Sequence, residues 1–140
     1  MKEKVIGYTA GVFDLFHVGH VNLLKFAKQH CDVLVVGLVS DEESLQRKGK
    51  KPIYPYEQRK QILEACRYVD KVYPHRACED LAICNELNAT VQFVGSDWKG
   101  TELYNKMEKE YAAQGKKILY TEYTQGISST QVRAKLSDKK

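Results

Sequence analysis

The chain has 140 residues, 43% of them hydrophobic, with 22 Lys and Arg against 18 Asp and Glu and a formal net charge of +4. That length suits one domain with a complete core that needs neither disulfides nor metals. The basic residues are interspersed with acidic ones, which argues against a nucleic-acid partner. The best apolar run, 33–39, falls far short of the about 20 residues that cross a bilayer, which argues against membrane insertion.

Residues 5–12 and 33–39 are short, Val-rich and apolar on both faces, as in parallel strands covered by helices on each side. Between them, 21–29 reads as a helix. The remaining pattern predicts a helix over 56–68, a strand near 71–73, a helix near 79–87 and a strand at 91–94. A helix at 102–113, a strand at 117–121 and a final helix from Ser129 complete it. Strand and helix alternate, which implies right-handed crossovers and an α/β fold with a doubly wound parallel sheet. Ligands then bind beyond the carboxyl ends of the strands, where strand order reverses. One domain is expected over 1–136, with the Lys-rich 137–140 as a frayed tail. Cys31, Cys66, Cys78 and Cys84 form no CxxC pair, and no signal peptide precedes them, so they read as reduced thiols of a cytoplasmic protein.

The first strand-to-helix junction reads AGVFDLFHVGH over 10–20 and sets His17 and His20 three residues apart. Three readings fit such a pair. It can ligate a metal, although His30 and His75 fall in no ligand spacing with it. One imidazole can cap the helix while the other packs. The favoured reading is a pair of imidazole N–H donors for a polyphosphate: Gly19 lets backbone approach a ligand, and the helix start aims N–H groups and a positive dipole end at the same space. Fixed donors that fit a phosphorus under attack better than the ground state lower its barrier without a covalent step. Asp14 beside them is expected mainly to hold the loop through backbone N–H bonds, with orientation of a metal as the alternative.

On the helix over 56–68, Ile62, Leu63 and Cys66 mark an apolar face; Arg59 lies on it, and Arg67 sits about 80° from Arg59 around the axis. Arginines beside a core-facing stripe need a carboxylate or phosphate partner, and solvent, Asp70 and Glu64 are the alternatives to a substrate. Arg47, Lys48, Gly49, Lys50 and Lys51 read as a solvated loop in which Gly49 and Pro52 suggest an ordered turn. Ser128 and Gln131 have capping-box spacing, and a glycine-preceded helix start with spare hydroxyls is also a phosphate cradle. Asp97 and Trp98 follow a strand end, either as a plain turn or with the acid accepting from the exocyclic amine of a base.

GVFDLFHVGH resembles the HxGH signature of the nucleotidyltransferase superfamily. The wider likeness is to the cytidylyltransferases, those for glycerol-3-phosphate, choline phosphate and ethanolamine phosphate, through LQRKGKKP, YEQRKQILEACRYVDKV, VGSDW and TQGISST in that order. The resemblance implies a Rossmann-like sheet and transfer of CMP from CTP to a small phosphorylated alcohol, with pyrophosphate released. It implies Mg²⁺ bound mainly through the triphosphate and a homodimer with its interface near 66–70. His17, His20 and one of Lys48 and Lys50 would carry the chemistry. Gly11, Val12, Phe13, Gly19, Arg59, Asp97, Thr124, Gly126, Ile127, Ser128, Ser129 and Thr130 would hold the nucleotide. Asp14, Arg67, Arg76, Cys78 and Tyr123 would face the acceptor, and no residue is assigned as a metal ligand.

Two positions depart from the family pattern. Tyr123 stands where relatives typically carry an arginine, and Cys78 lies near where they usually place a tryptophan. Loss of a phosphate-binding guanidinium weakens binding by about 1.5–3 kcal/mol unless Arg76 or a loop lysine replaces it. A smaller Cys78 widens the acceptor pocket, so the expected acceptor is a larger polyol or amino-alcohol phosphate. The rival readings are an ATP-dependent adenylyltransferase making FAD or a coenzyme A precursor, and a catalytically idle nucleotide-binding protein.

Overall fold

In the computed structural model, which describes residues 4–121, five parallel strands form one sheet in the order β3-β2-β1-β4-β5. These are β1 (Ile6–Gly11), β2 (Val33–Leu38), β3 (Lys71–Pro74), β4 (Val91–Gly95) and β5 (Lys117–Thr121). The chain adds strands outward from β1 on one side, then crosses to β4 on the other, so the order reverses between β1 and β4. The doubly wound parallel sheet is thus the one the alternation predicts, with its ligand crevice expected at the carboxyl end of β1. Val33 to Leu38 is apolar throughout because it serves two cores. Leu34, Val36 and Leu38 join Leu24, Leu63 and Phe93 on one face, while Val35 joins Tyr8, Ile83, Tyr111 and Ile118 on the other.

The helices are α1 (Val18–Gln29), α2 (Asp41–Lys48), α3 (Tyr56–Glu64), α4 (Asp80–Leu87) and α5 (Glu102–Ala113). Three of them differ from the sequence reading. α1 begins at Val18, which draws Gly19 and His20 into its first turn. α2 fills a stretch given no element by the sequence and takes in Arg47 and Lys48 of the expected loop. It buries only Ser44, so no apolar stripe announces it; its signals are Ser40 capping the Glu43 N–H, three acids in the first turn, Arg47 and Lys48 in the last, and Gly49 in the left-handed region. α3 stops at Glu64, because the chain must turn over 65–70 to enter β3. Asp70 fixes that turn by accepting the Leu34 N–H at 2.8 Å and the Lys28 ammonium at 2.6 Å. The final helix expected from Ser129 lies outside the described residues. So do Tyr123, Thr124, Gly126, Ile127, Ser128, Ser129 and Thr130.

Arg59 is fully buried, and its guanidinium faces protein rather than the crevice. Its Nε donates to the Tyr54 carbonyl at 2.9 Å, and Nη1 donates to the carbonyls of Val12 at 2.9 Å and Val39 at 2.8 Å. Nη2 meets the Asp41 carboxylate at 2.5 Å. One side chain therefore ties the ends of β1 and β2, the start of α2 and the segment before α3. The nucleotide contact expected of Arg59 is corrected to this internal role, since a buried guanidinium with these partners satisfies the rule that such a charge be paired.

Arg59→Met is predicted to lower stability by at least about 3 kcal/mol, since three main-chain carbonyls lose a charged donor. Urea denaturation measures it. A loss under about 1 kcal/mol would mean that those carbonyls find other donors.

Candidate active site

Beyond β1 the chain runs through 12–16 in a conformation that side chains rarely adopt, with Phe13 at φ 52° and Leu15 at φ 50°. Each left-handed residue without glycine costs on the order of 1 kcal/mol or more, so the surroundings must impose it. They do: Phe13 and Leu15 bury their side chains, and Asp14 between them accepts the Ile53 N–H at 2.7 Å and the Tyr54 N–H at 2.9 Å. Both Asp14 oxygens are thus turned to backbone. This is the loop-holding role its position predicts. Phe13 likewise contributes no side chain to open space; its ring lies 5.3 Å from that of His20.

The two histidines build the start of α1 between them. His17 is the N-cap, its Nδ1 accepting the Gly19 N–H at 3.0 Å, and Nδ1 of His20 accepts the His17 N–H at 3.1 Å. This is a capping box in which imidazoles take the places usually held by Ser or Thr and Glu. The rings stack with centroids 3.9 Å apart, and Phe16 lies 5.3 Å from His20 on a nearly parallel plane. An Nδ1 that accepts a backbone N–H fixes the neutral tautomer with its proton on Nε2. Each ring therefore offers one N–H donor, held in place at the positive end of a helix. Capping and donation are two ends of the same ring rather than competing readings.

Burial holds the His17 imidazole below its ordinary range. His20 is pulled down to about 3, chiefly by burial and further by the neighbouring His17, with Asp14 opposing. Both rings are neutral donors at neutral pH. Among the described residues, no group of three or more His, Cys, Asp or Glu side chains is arranged to hold a metal.

The other expected residues scatter. The carbonyls of Gly11 and Val12 are taken by the Val39 N–H and by Arg59. Lys48 ends α2, and Lys50 follows in a loop fastened at one end by Ser44 Oγ to the Lys50 carbonyl at 3.4 Å and at the other by Asp14. Asp97 is exposed in a single 3₁₀ turn, Ser96–Trp98, at the carboxyl end of β4. Arg67 lies in the turn after α3 rather than on the helix, exposed, before the amino end of β3, so one chain does not bring it to the histidines. Arg76 is not a spare cation: its Nε meets Glu79 at 3.0 Å and its Nη2 meets Glu86 at 2.9 Å. Cys78 is exposed beside it at φ 61°.

Acid should loosen the fold through His20. The unfolded chain binds this proton near pH 6.5 and the folded one only near 3, so the stabilising contribution is complete above about 6.5 and drains away as pH falls toward 3. The slope is at most about 1.4 kcal/mol per pH unit for one proton. His20→Gln keeps a residue suited to the cap and should flatten that slope between pH 6 and 4 in urea titrations. Equal slopes in the two proteins would refute the assignment.

Residues 8–135 match the cytidylyltransferase-like family. The chain is 40% identical over 139 residues to a glycerol-3-phosphate cytidylyltransferase of Bacillus subtilis, covering 96% of this chain and 98% of that one. It is 37% identical to the Staphylococcus aureus protein of the same name, covering 98% and 97%. Among solved structures, a lipopolysaccharide core biosynthesis protein from Thermoplasma volcanium shares the fold with TM-score 0.71 and 23% identity, over 87% of this chain and 98% of that one. A pantoate-beta-alanine ligase from Francisella tularensis does so with TM-score 0.60 and 16% identity, over 98% and 70%. With the HxGH pair seated where strand order reverses and a family match that takes in nearly the whole chain, this protein belongs to the cytidylyltransferase-like family.

Proposed function

We propose that the protein transfers CMP from CTP to a small phosphorylated alcohol. A phosphate oxygen of the acceptor forms a bond to the α-phosphorus, the bond from that phosphorus to the bridging oxygen breaks, and pyrophosphate leaves with the electron pair. The observation that carries this reading is the pinned pair of Nε2–H donors of His17 and His20 at the start of α1, in a chain about 40% identical to named cytidylyltransferases. Neutral, immobile donors stabilise charge on the phosphoryl oxygens as it grows and need no reorganisation when it does. A lysine of the α2 end or its loop, Lys48 or Lys50, adds positive charge toward the leaving phosphates. Ser128, Ser129 and Thr130, outside the described residues, take the β and γ phosphates in this reading, and Asp97 accepts from the cytosine amine.

Asp14 spends its oxygens on backbone, so the described residues fit Mg²⁺ held through phosphate oxygens and water. Bound there, the ion would offset part of the triphosphate charge. The commitment of Arg76 to Glu79 and Glu86 leaves the loop lysines as the replacement for the arginine that Tyr123 lacks. With Cys78 in place of a large ring, the acceptor we favour is a larger polyol or amino-alcohol phosphate than glycerol-3-phosphate. We also propose a homodimer joined near 66–70, where Tyr68 and Val69 pack on the core and Arg67 is exposed. A monomer at micromolar concentration in light scattering would remove it.

Pyrophosphate release from CTP, Mg²⁺ and a panel of phosphorylated alcohols tests the reaction, with ATP in place of CTP as the control. His17→Ala and His20→Ala are predicted to lower turnover by about 10²–10³ each, the effect of removing one transition-state donor. Near-normal turnover in both folded variants would sink the mechanism. Calorimetry should show CTP binding more tightly than ATP, and the reverse order would move the protein to the adenylyltransferases.

A further inference from the structure

On the face of the sheet away from α1 runs a chain of polar side chains that the reaction above does not use. Tyr8, in the middle of β1, is fully buried, and its hydroxyl reaches Nδ1 of His75 at 2.6 Å, just past the end of β3. To get there the ring crosses β2 at Gly37, where a Cβ would collide with the hydroxyl oxygen. No residue but glycine leaves that path open. Burial, with Asp80 nearby, pushes the Tyr8 phenol well above its ordinary range, so the hydroxyl keeps its proton and donates. Nε2 of His75 faces Asp80 at 3.6 Å, and Asp80 in turn accepts the Gln92 amide at 2.7 Å. Gln92 accepts the Tyr111 hydroxyl from α5.

Buried polar groups linked in this way specify one arrangement, because breaking any link strands its neighbours. What the chain holds is the segment 75–79. The His75 N–H continues the ladder onto the Leu38 carbonyl at 3.1 Å, and Arg76 is staked outside by Glu79 and Glu86. Cys78 sits in this segment in a left-handed conformation that needs firm supports on both sides. The segment leaves the carboxyl end of β3, two strands from the histidine pair on the same edge of the sheet.

We propose that His75 is a positioning residue for the acceptor: anchored by Tyr8 across Gly37, it fixes segment 75–79 as one wall of the acceptor end of the site. This rests on the cytidylyl-transfer reading for the identity of the ligand, but its geometry does not depend on turnover.

The test uses Cys78 as a reporter. In the wild-type protein, alkylation of Cys78 by an uncharged maleimide, followed by peptide mass spectrometry, should be slowed by glycerol-3-phosphate or by a five-carbon polyol phosphate. Tyr8→Phe and His75→Leu should each raise the concentration needed for protection, and the acceptor KM, by about fivefold, the effect of one net hydrogen bond. CTP affinity by calorimetry should stay unchanged. His75→Asn, which keeps an acceptor atom near the place of Nδ1, should restore most of the loss, and the Tyr8→Phe, His75→Leu double variant should be no worse than His75→Leu. Protection by neither phosphate, equal shifts in CTP and acceptor affinity, or a lowered Tm with both affinities intact would each overturn the proposal. Protection of Cys78 without any CDP-alcohol formed would instead count against the transfer reading and leave the acceptor wall standing.

Discussion

The carboxyl edge of this sheet depends on Arg59. Three segments distant in sequence, at 12, 39–41 and 54, end there with carbonyls or a carboxylate pointing inward, and packing alone cannot satisfy inward-pointing oxygens. A guanidinium can, because its donors spread in a plane and never lose their charge. Arg59 thus does for the crevice what a metal does in a smaller domain: it holds together groups that would otherwise hydrate and drift apart. Asp14 repeats the device with the opposite sign, gathering two N–H groups from the segment that Arg59 anchors by its carbonyl. The strained turn at Phe13 and Leu15 survives only inside that frame.

Within the frame, the histidines are fixed by the helix they begin. Because each Nδ1 is spent on a local main-chain N–H, the orientation of each ring follows from the backbone of α1 and needs no distant carboxylate to orient it. Burial under Phe13 and Phe16 then keeps His20 uncharged, so its Nε2–H is a donor whose state does not change around neutral pH.

Much of this is legible in the residues. Val-rich runs separated by amphipathic stretches mark the strands to within a residue or two and the parallel sheet with them, since a strand apolar on both faces must be covered on both. The HxGH spacing places the crevice. The departures come where hydrophobic periodicity carries no information. α2 is a helix made of caps and charges, visible in Ser40, its acidic first turn, the basic Arg47 and Lys48 of its last turn, and Gly49. The position of Arg59 on an apolar face shows that it needs oxygen partners but not which ones, because that choice is a matter of tertiary approach between residues 12, 39, 41 and 54. Arg67 falls beside Arg59 only if α3 runs past Glu64, and the turn that ends the helix is set by Asp70 reaching back to β2. The Tyr8–His75 link joins residues 67 apart, beyond any local pattern.

Strand order also dictates how the chain comes together as it is made. β1 is the central strand, yet its partner on one side, β4, begins only at Val91. Until then Gly7, Tyr8 and Thr9 present an open row of main-chain groups next to a half-built core, the kind of edge that pairs with other chains. The histidine cap, by contrast, is closed within four residues and can form as soon as α1 does. The nascent chain therefore carries a closed helix cap beside an unfinished sheet, and the closing of β4 onto β1 is the long-range step that completes it.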